Sequence, residues 1–468
     1  MTTYDVAIIG AGVVGTAIAR TLSGLECSVA VIERSADIGD ATSKANTAIL
    51  HTGFDCVPGT LESRLVRRGY ELLAAYANDA RVAVEPTGAV LVAWNELQLE
   101  ALPGLQAKAV DNGYLETVLI DADEVYRIEP YLGPGALGGL RVPGESIIDP
   151  WSPPLGFARD ALANGVDFRL ATEVQQIVAG PFGHELHTSR GTIHARWIIN
   201  AAGLQSGLVN ERCGHHEFTV TPRRGELIVF DKLARSLVNT IILPVPTAVT
   251  KGVLISPTVF GNVLLGPTAD DIDDPTATAT TESGIERLMA AGATMMPDLV
   301  REEVTATYAG LRAATEHRDY QLHVHADERY LCVGGIRSTG LTASLAIGEY
   351  VVSLLNEAGF SPAPRPGGVA TTTLPPLGET QLRPFLDAER IAQDAAYGTI
   401  VCHCERVTTG EIRDALASDL APASLGALRR QTRAMNGRCQ GFFCAAHVVA
   451  MMAEATWVDP AILTGLDS

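Results

Sequence analysis

Four cysteines near the C-terminal end have a spacing suited to metal binding. Cys402 and Cys404 form a CxC pair. After a further 34 residues, Cys439 and Cys444 form a CxxxxC pair. Thiolates presented by two tight loops can hold a metal centre between them. Structural zinc usually uses CxxC pairs, so zinc fits this spacing poorly and remains the alternative.

A glycine motif near the N-terminus could bind the phosphates of a dinucleotide. Gly10, Gly12 and Gly15 spell GxGxxG directly after the apolar run YDVAII. The first glycine permits a tight turn, the second lets the backbone approach a pyrophosphate, and the third lets helix and strand pack closely. Glu33 lies 18 residues after Gly15, where a carboxylate can accept hydrogen bonds from a ribose. The motif predicts a single dinucleotide-binding fold.

The elements around these motifs predict an α/β protein of several domains. Residues 4–9 and 28–34 read as buried parallel strands, and residues 13–22 between them read as a helix. An apolar, strand-like run followed by glycine occurs again at 195–203 and 330–340. We therefore expect a cofactor domain assembled from separated segments of the chain. We predict the following domains: dinucleotide-binding domain, 1–80, 146–215 and 326–358; antiparallel substrate domain, 81–145 and 216–325; linker, 359–397; helical metal-binding module, 398–457.

Three segments in order resemble the D-amino-acid-oxidase superfamily of flavoenzymes. They are DIGDATSKANTAILHTGFD (37–55), WIINAAGLQS (197–206) and CVGGIRSTGLTASLAIGEYV (332–351). Within that superfamily the chain is most similar to the glycerol-3-phosphate dehydrogenase and L-2-hydroxyglutarate oxidase branch. The resemblance implies a Rossmann-type FAD-binding domain interleaved with an antiparallel-sheet substrate domain.

The resemblance also implies which residues meet the FAD. Glu33 would hold the ribose, Ser43 and Lys44 would lie beside the flavin, and residues 335–342 would pass along the pyrophosphate and ring. The full set of implied cofactor-binding residues is Gly10, Gly12, Gly15, Glu33, Arg34, Ser43, Lys44, Val174, Ala201, Gly203, Gly335, Thr339, Gly340, Leu341 and Thr342.

Three side chains are the candidates for catalysis. His51, in ILHTGF, is the candidate base because an imidazole titrates near neutral pH. Arg312 and Arg337 could form bidentate contacts with a substrate carboxylate or phosphate. Weaker candidates are Arg223, Arg224, Lys251, His317 and Arg318. The last flavin motif reads IRSTGLT rather than the lysine- and threonine-rich version expected of glycerol-3-phosphate dehydrogenases, which leaves the substrate open.

The cysteine module resembles the bacterioferritin-associated-ferredoxin-like [2Fe–2S] domain. VCHCERVTTGEI and TRAMNGRCQGFFC carry that resemblance. It implies a [2Fe–2S] cluster on the four cysteines, in a small and mainly helical domain. Since FAD takes two electrons and the cluster carries one, we expect electrons to leave stepwise to a protein or quinone acceptor, through another subunit in some arrangements.

These features together predict an FAD-dependent dehydrogenase of a small anionic hydroxy compound, such as glycerol 3-phosphate, a related polyol phosphate or L-2-hydroxyglutarate. Two alternatives remain open. One is a dehydrogenase of amino acids, opines or other amines, and the other is an electron-transfer or assembly protein whose flavin is only a relay.

The net charge and the distribution of apolar residues restrict the partners and the location of the protein. The 468 residues carry a formal net charge of −19, which disfavours nucleic acid and acidic membrane surfaces. No apolar run of about 20 residues occurs, and the start MTTYDVAIIG lacks the features of a secretory signal. We expect a cytoplasmic protein with reduced thiols, which a partner subunit could hold at the inner membrane.

Overall fold

The computed structural model describes residues 3–246 and 252–465. In chain order the strands are β1 (Thr3–Ile9), β2 (Val29–Ile32), β3 (Ile49–Leu50), β4 (Val84–Glu85), β5 (Ala89–Ala93), β6 (Val118–Asp121), β7 (Gly138–Val142), β8 (Ser146–Ile148), β9 (Asp167–Arg169), β10 (Val174–Gly180), β11 (Gly183–Thr188), β12 (Gly191–Asn200), β13 (Val220–Phe230), β14 (Ile241–Pro244), β15 (Leu254–Pro257), β16 (Val263–Gly266), β17 (Asp270–Asp271), β18 (Val304–Thr315), β19 (Gln321–His325), β20 (Tyr330–Gly334), β21 (Ile400–Cys402) and β22 (Val407–Thr408).

The helices connect and cover these strands. In chain order they are α1 (Val13–Ser23), α2 (Leu61–Ala80), α3 (Glu96–Asp111), α4 (Ala122–Ile128), α5 (Ser152–Ala163), α6 (Ser206–Arg212), α7 (Glu282–Met295), α8 (Gly340–Glu357), α9 (Ala388–Gln393), α10 (Thr409–Leu416), α11 (Leu425–Thr432), α12 (Ala445–Thr456) and α13 (Pro460–Thr464). In the part of the chain that the structure describes, none of them is long and apolar enough to span a bilayer.

The first sheet has a parallel centre in the order β20-β12-β1-β2-β9. Strand β19 adds to its outer edge, and β10 and β11 extend β12 with antiparallel pairs. All four residues of β2 are buried, as expected of a parallel strand covered on both faces. Helix α1 packs against both α5 and α8. This Rossmann-like arrangement confirms the predicted α/β fold class.

The second sheet is the antiparallel one expected for the substrate domain. Its strand order is β17-β13-β16-β15-β14-β5-β7-β6, and β18 also pairs with β13. Among the described residues, the one parallel pair in this sheet is β14 with β5. These strands come from two separated stretches of the chain, residues 89–142 and 220–315. A small three-stranded sheet, β3-β8-β4, takes β3 and β4 from before the first stretch and β8 from just after it, and the candidate base His51 directly follows β3. The predicted interleaving of two sheets is therefore confirmed.

The segment predicted as a linker lies against the rest of the protein. Its backbone N–H at Leu374 donates to the carbonyl of Ala80 at 2.8 Å, and the N–H of Thr372 donates to Asp160 at 2.7 Å. Leu374 is 3 % exposed. These contacts hold residues 372–374 of the segment against α2 and α5. The exact domain boundaries stay a prediction.

The C-terminal module is docked. Helix α10 begins with a capping box in which Thr408, the N-cap, and Glu411 bond reciprocally. The Asp37 carboxylate accepts hydrogen bonds from the Ala423 N–H at 2.7 Å and the Ser424 hydroxyl at 2.6 Å. These hydrogen bonds hold the module against the segment that follows β2.

Candidate functional site

The glycine motif brings the first strand, the first helix and the 201–203 segment into close contact. A Cβ on Gly10, whose φ is +108°, would lie 2.6 Å from the carbonyl oxygen of Ala201. A Cβ on Gly15 would lie 2.0 Å from the Gly10 oxygen. Helix α1 has no acidic residue in its first turn and no side-chain cap at Gly12. The positive end of the α1 dipole therefore suits a pyrophosphate, while the first N–H of the helix, on Val13, donates to Ser43.

Glu33 lies where the sequence predicts the adenosine end of the cofactor site. Its carboxylate accepts hydrogen bonds from the Ala11 N–H at 2.8 Å and the Ser35 N–H at 2.7 Å. Its carbonyl accepts the N–H of Thr172, two residues before Val174. The structure thus brings Val174 to the same end of the sheet as Glu33, while the side chain of Arg34 is exposed.

The loop before α8 is held by a buried glutamate that sequence reasoning missed. Glu62, in the first turn of α2, accepts a hydrogen bond from the Thr339 hydroxyl at 2.8 Å and pairs with Arg337 at 2.7 Å. The Tyr320 and Thr339 hydroxyls are 2.6 Å apart. Gly335 has a φ of +65°, which lets the loop turn out of β20. Residues 335–340 therefore form a fixed path at the carboxyl end of the parallel sheet, as a cofactor loop requires.

The 42–46 segment joins the two sheets. Ser43 accepts a hydrogen bond from the Val13 N–H at 2.9 Å, whereas Lys44 is half exposed and pairs with Asp40. From the other sheet, the Tyr308 hydroxyl donates to the carbonyl of Asn46 at 2.7 Å. Strand β18 therefore lies directly beside the predicted flavin segment.

His51 and Glu145 form a pair that the antiparallel register creates. Strand β3 pairs with β8 so that Leu50 lies opposite Ser146, and the next step places His51 opposite Glu145. The Nδ1 atom of His51 is 3.1 Å from a carboxylate oxygen of the fully buried Glu145. The backbone N–H of His51 donates to the Thr342 hydroxyl at 3.0 Å, which connects His51 to α8. A buried carboxylate at Nδ1 can fix the tautomer and orientation of an imidazole.

Arg312 differs from the other candidate arginines in its partners. Arg223 pairs with Asp271 at 2.6 Å, Arg224 lies 3.8 Å from Glu226, and Arg337 is held by Glu62. Among the described residues no carboxylate lies within 4.0 Å of Arg312, whose guanidinium makes only 3.5 Å hydrogen bonds to the carbonyl of Thr268. Burial, and then the nearby Arg223, lower the pKa of Arg312. A partly buried cation without a counter-charge is suited to bind an anion.

Two of the remaining weaker candidates lie at the surface. His317 and Arg318 are exposed, and the Arg318 carbonyl accepts a hydrogen bond from Arg337 at 2.6 Å. Lys251 lies outside the described residues.

The four C-terminal thiols form two pairs, Cys404 with Cys439 and Cys402 with Cys444. Among the described residues, no three of these sulfurs lie within 4.8 Å of one another. Four sulfurs around one zinc ion would all lie about 4 Å apart, so the pairs suit two iron atoms with two thiolates each. The donor set therefore fits a [2Fe–2S] cluster.

The backbone around the thiols supports this fit. The N–H groups of Phe443, Gly441 and Phe442 lower the pKa of the Cys439 thiol, because they point at its sulfur. Burial and the neighbouring Cys402 raise the pKa of Cys444 to about 12, a cost to the thiolate that a cation bound between the two sulfurs would offset. A Cβ on Gly437 would lie 2.2 Å from the Cβ of Cys404, so only glycine allows that loop to close.

Two family descriptions match the chain. Residues 5–354 match the family described as FAD dependent oxidoreductase, and residues 400–454 match the BFD-like [2Fe-2S] binding domain.

Similar proteins cover most of the chain. A glycerol 3-phosphate dehydrogenase of Caloramator mitchellensis is 33% identical over 465 residues, which is 97% of this chain and 95% of that protein. The solved L-alpha-glycerophosphate oxidase of Mycoplasma pneumoniae, with FAD bound, superposes with a TM-score of 0.75 at 30% identity and covers 80% of this chain and 100% of that one. An L-2-hydroxyglutarate dehydrogenase of Nematostella vectensis is 28% identical over 57% of this chain and 62% of its own length.

Proposed function

The chain belongs to the FAD dependent oxidoreductase family and carries a [2Fe–2S] domain, and from this premise we propose that it is a dehydrogenase of glycerol 3-phosphate or a closely related anionic alcohol. The observation that carries the proposal is Arg312, a partly buried guanidinium with no carboxylate partner among the described residues. It lies one residue from Leu311, whose carbonyl accepts the Thr42 hydroxyl at 2.9 Å. The backbone of β18 beside Arg312 is thus next to the predicted flavin segment, and a substrate phosphate there could bind the guanidinium bidentately.

The proton of the substrate hydroxyl would go to His51. Glu145 holds its Nδ1 side and stabilises the imidazolium that forms. Thr52 donates two hydrogen bonds of 2.8 Å to the other Glu145 oxygen, so the carboxylate itself is fixed. FAD, when bound, supplies a two-electron hydride acceptor, and the [2Fe–2S] cluster supplies a one-electron carrier. The chain's own task is to hold the alcohol carbon in place while His51 takes the proton.

Electrons are proposed to leave through the exposed face of the C-terminal module. Phe442 and Phe443 lie between two cysteine ligands and are 85% and 79% exposed. Exposed aromatic side chains beside a redox centre are suited to contact an acceptor. The acceptor is proposed to be a protein or a quinone.

The similarity to an L-2-hydroxyglutarate dehydrogenase gives a second substrate of the same class. A carboxylate would use Arg312 in the same way as a phosphate does. The carboxylate of an amino acid could bind Arg312 in the same way, so flavin reduction with each substrate class is what separates an alcohol from an amine dehydrogenase.

The test is anaerobic flavin reduction by glycerol 3-phosphate in wild type, Arg312→Lys and a control, Arg287→Lys. Arg287 pairs with Asp270 on the surface of the same domain. We expect Arg312→Lys to raise the half-saturating concentration about 10- to 100-fold, the loss of one to two charge-assisted hydrogen bonds. Reduction by glycerol, which lacks the phosphate, should change little. If Arg312→Lys leaves the half-saturating concentration at the wild-type value, Arg312 does not bind the anion.

A further inference from the structure

A cluster of metal-binding side chains lies away from the flavin site, between α6 and the β19–β20 hairpin. His215, Glu217 and His325 each place one ligand atom within 4.8 Å of the others. The Glu217 Oε1 atom is 2.9 Å from Nε2 of His325 and 3.8 Å from Nδ1 of His215. Ligand atoms around a tetrahedral zinc ion lie about 3.4 Å apart, given metal–ligand distances near 2.0–2.1 Å. We propose that these three side chains bind a divalent transition-metal ion of the zinc type.

The partners of the three side chains support a metal site. The second ring nitrogen of His215, Nε2, lies 3.1 Å from a carboxylate oxygen of Glu328. The second oxygen of Glu217 accepts a hydrogen bond from the Asn210 amide at 2.6 Å. Metal-ligating histidines usually bond a carboxylate through the other ring nitrogen, which fixes the tautomer and makes the ring a stronger ligand. Both His215 and Glu217 are therefore oriented by a neighbour.

The chemistry of the ligand set selects the class of ion. Two imidazoles and one carboxylate are the donors that zinc and its neighbours prefer, whereas magnesium and calcium prefer oxygen alone. The two rings stack with centroids 3.5 Å apart, and Nδ1 of His215 and Nε2 of His325 both lie within 3.8 Å of the same Glu217 oxygen. Side-chain exposures of 12 to 27% leave room for water at the fourth position.

The place of the cluster in the fold indicates a structural role. His215 and Glu217 belong to the crossover that leaves the first sheet after α6 and enters the second at β13. His325 is the last residue of β19 in the first sheet. An ion held by all three would fasten the crossover to that sheet, because it binds the folded arrangement and not the unfolded chain.

The experiment is zinc loading of the holoenzyme, with its FAD and iron contents measured in every variant. After incubation with Zn²⁺ and gel filtration, wild type is expected to retain one zinc per chain, and His325→Gln to lose it. The matched control is His187→Gln on β11, a half-exposed histidine 3.9 Å from Glu185. It should retain the zinc. Glu328→Gln should weaken zinc binding about 10-fold, the cost of removing an orienting carboxylate.

X-ray absorption at the zinc edge distinguishes this site from the cysteine module. Nitrogen and oxygen neighbours at about 2.0–2.1 Å are expected, without sulfur at about 2.3 Å. Sulfur neighbours would place the zinc on the cysteines and overturn the proposal. Unchanged zinc content in both His325→Gln and Glu328→Gln, at normal FAD content, would also overturn it.

Discussion

The Nδ1 atom of His51 lies 3.1 Å from Oε2 of Glu145, and the Glu145 side chain is completely buried. The two residues meet because β3 and β8 pair antiparallel just before and just after them. A base whose orientation is fixed by a buried carboxylate needs no reorganisation when the substrate proton is transferred. Every prediction about the chemical step depends on this pair.

Replacing Glu145 by Gln should slow flavin reduction by about 100-fold while leaving FAD bound. The amide keeps the size of the side chain and can still accept the Thr52 hydrogen bonds, but it stabilises the imidazolium less than a carboxylate does. The acidic limb of the rate profile should therefore move to lower pH. Stopped-flow reduction at several pH values measures both effects.

The matched control for this pair is Thr52→Val, which removes only the hydroxyl bond to Glu145. It should reduce the rate several-fold at most. A Glu145→Gln enzyme with the wild-type rate and pH profile would show that the carboxylate does not assist His51.

Arg337 should act on cofactor retention rather than on substrate binding. Its guanidinium is held by Glu62 and by the carbonyl of Arg318, and Glu62 also holds Thr339. Arg337→Met should therefore weaken FAD binding at least 10-fold and change the KM for substrate less than Arg312→Lys does. Equilibrium dialysis of FAD and steady-state kinetics at saturating FAD separate the two quantities.

Arg68→Met serves as the control for Arg337, because Arg68 lies on α2, as Glu62 does, and forms an exposed pair with Glu349 of α8. It should alter neither quantity. Should Arg337→Met raise the KM strongly and leave FAD affinity intact, Arg337 would contact the substrate directly, as the sequence predicted.

Cys404→Ser should remove the iron–sulfur cluster without affecting substrate oxidation. Iron should fall from two atoms per chain to nearly none, and electron delivery to a one-electron acceptor should drop by at least 10-fold. Anaerobic reduction of the flavin by substrate should stay within a factor of two of wild type. Iron analysis and electron paramagnetic resonance of the reduced protein measure the loss.

Cys213→Ser is the corresponding control. Cys213 directly follows α6 and belongs to neither of the two cysteine pairs of the C-terminal module. Its iron content should match wild type. Full cluster content in Cys404→Ser would mean that the cysteine pairs are not the ligands.

The exposed aromatic pair should matter only for the acceptor. The double variant Phe442→Ser/Phe443→Ser should slow electron transfer to a protein acceptor several-fold, with unchanged flavin reduction and iron content. Phe182→Ser removes an equally exposed phenylalanine from the β10–β11 turn and should have no effect. Equal acceptor kinetics in both variants would place the electron exit elsewhere.

The local motifs could be predicted from the sequence because each depends on neighbouring residues. The turn at Gly10, the strand before it and the helix after it lie within one short stretch, and glycine is required there by close backbone contacts. The capping signal at Thr408 is equally local. The two-sheet architecture followed from strand texture and from resemblance, and the structure confirms it.

The long-range partners could not be predicted. Glu145 meets His51 only through pairing of two strands that are two and three residues long, too short for any periodic signal. Glu62 reaches Thr339 across 277 positions of sequence, and Asp37 reaches Ser424 across 387. A single carboxylate in a sequence looks the same whether it is exposed or holds a site together.

The measurement that tests the central claim most directly is anaerobic absorbance of the purified protein during addition of glycerol 3-phosphate. L-2-hydroxyglutarate and a panel of amino acids are added to separate samples. For a dehydrogenase of an anionic alcohol, we expect the flavin band to bleach with glycerol 3-phosphate or the hydroxy acid, and amino acids to leave the band unchanged. Bleaching by an amine alone, or a purified protein without any flavin band, would contradict it.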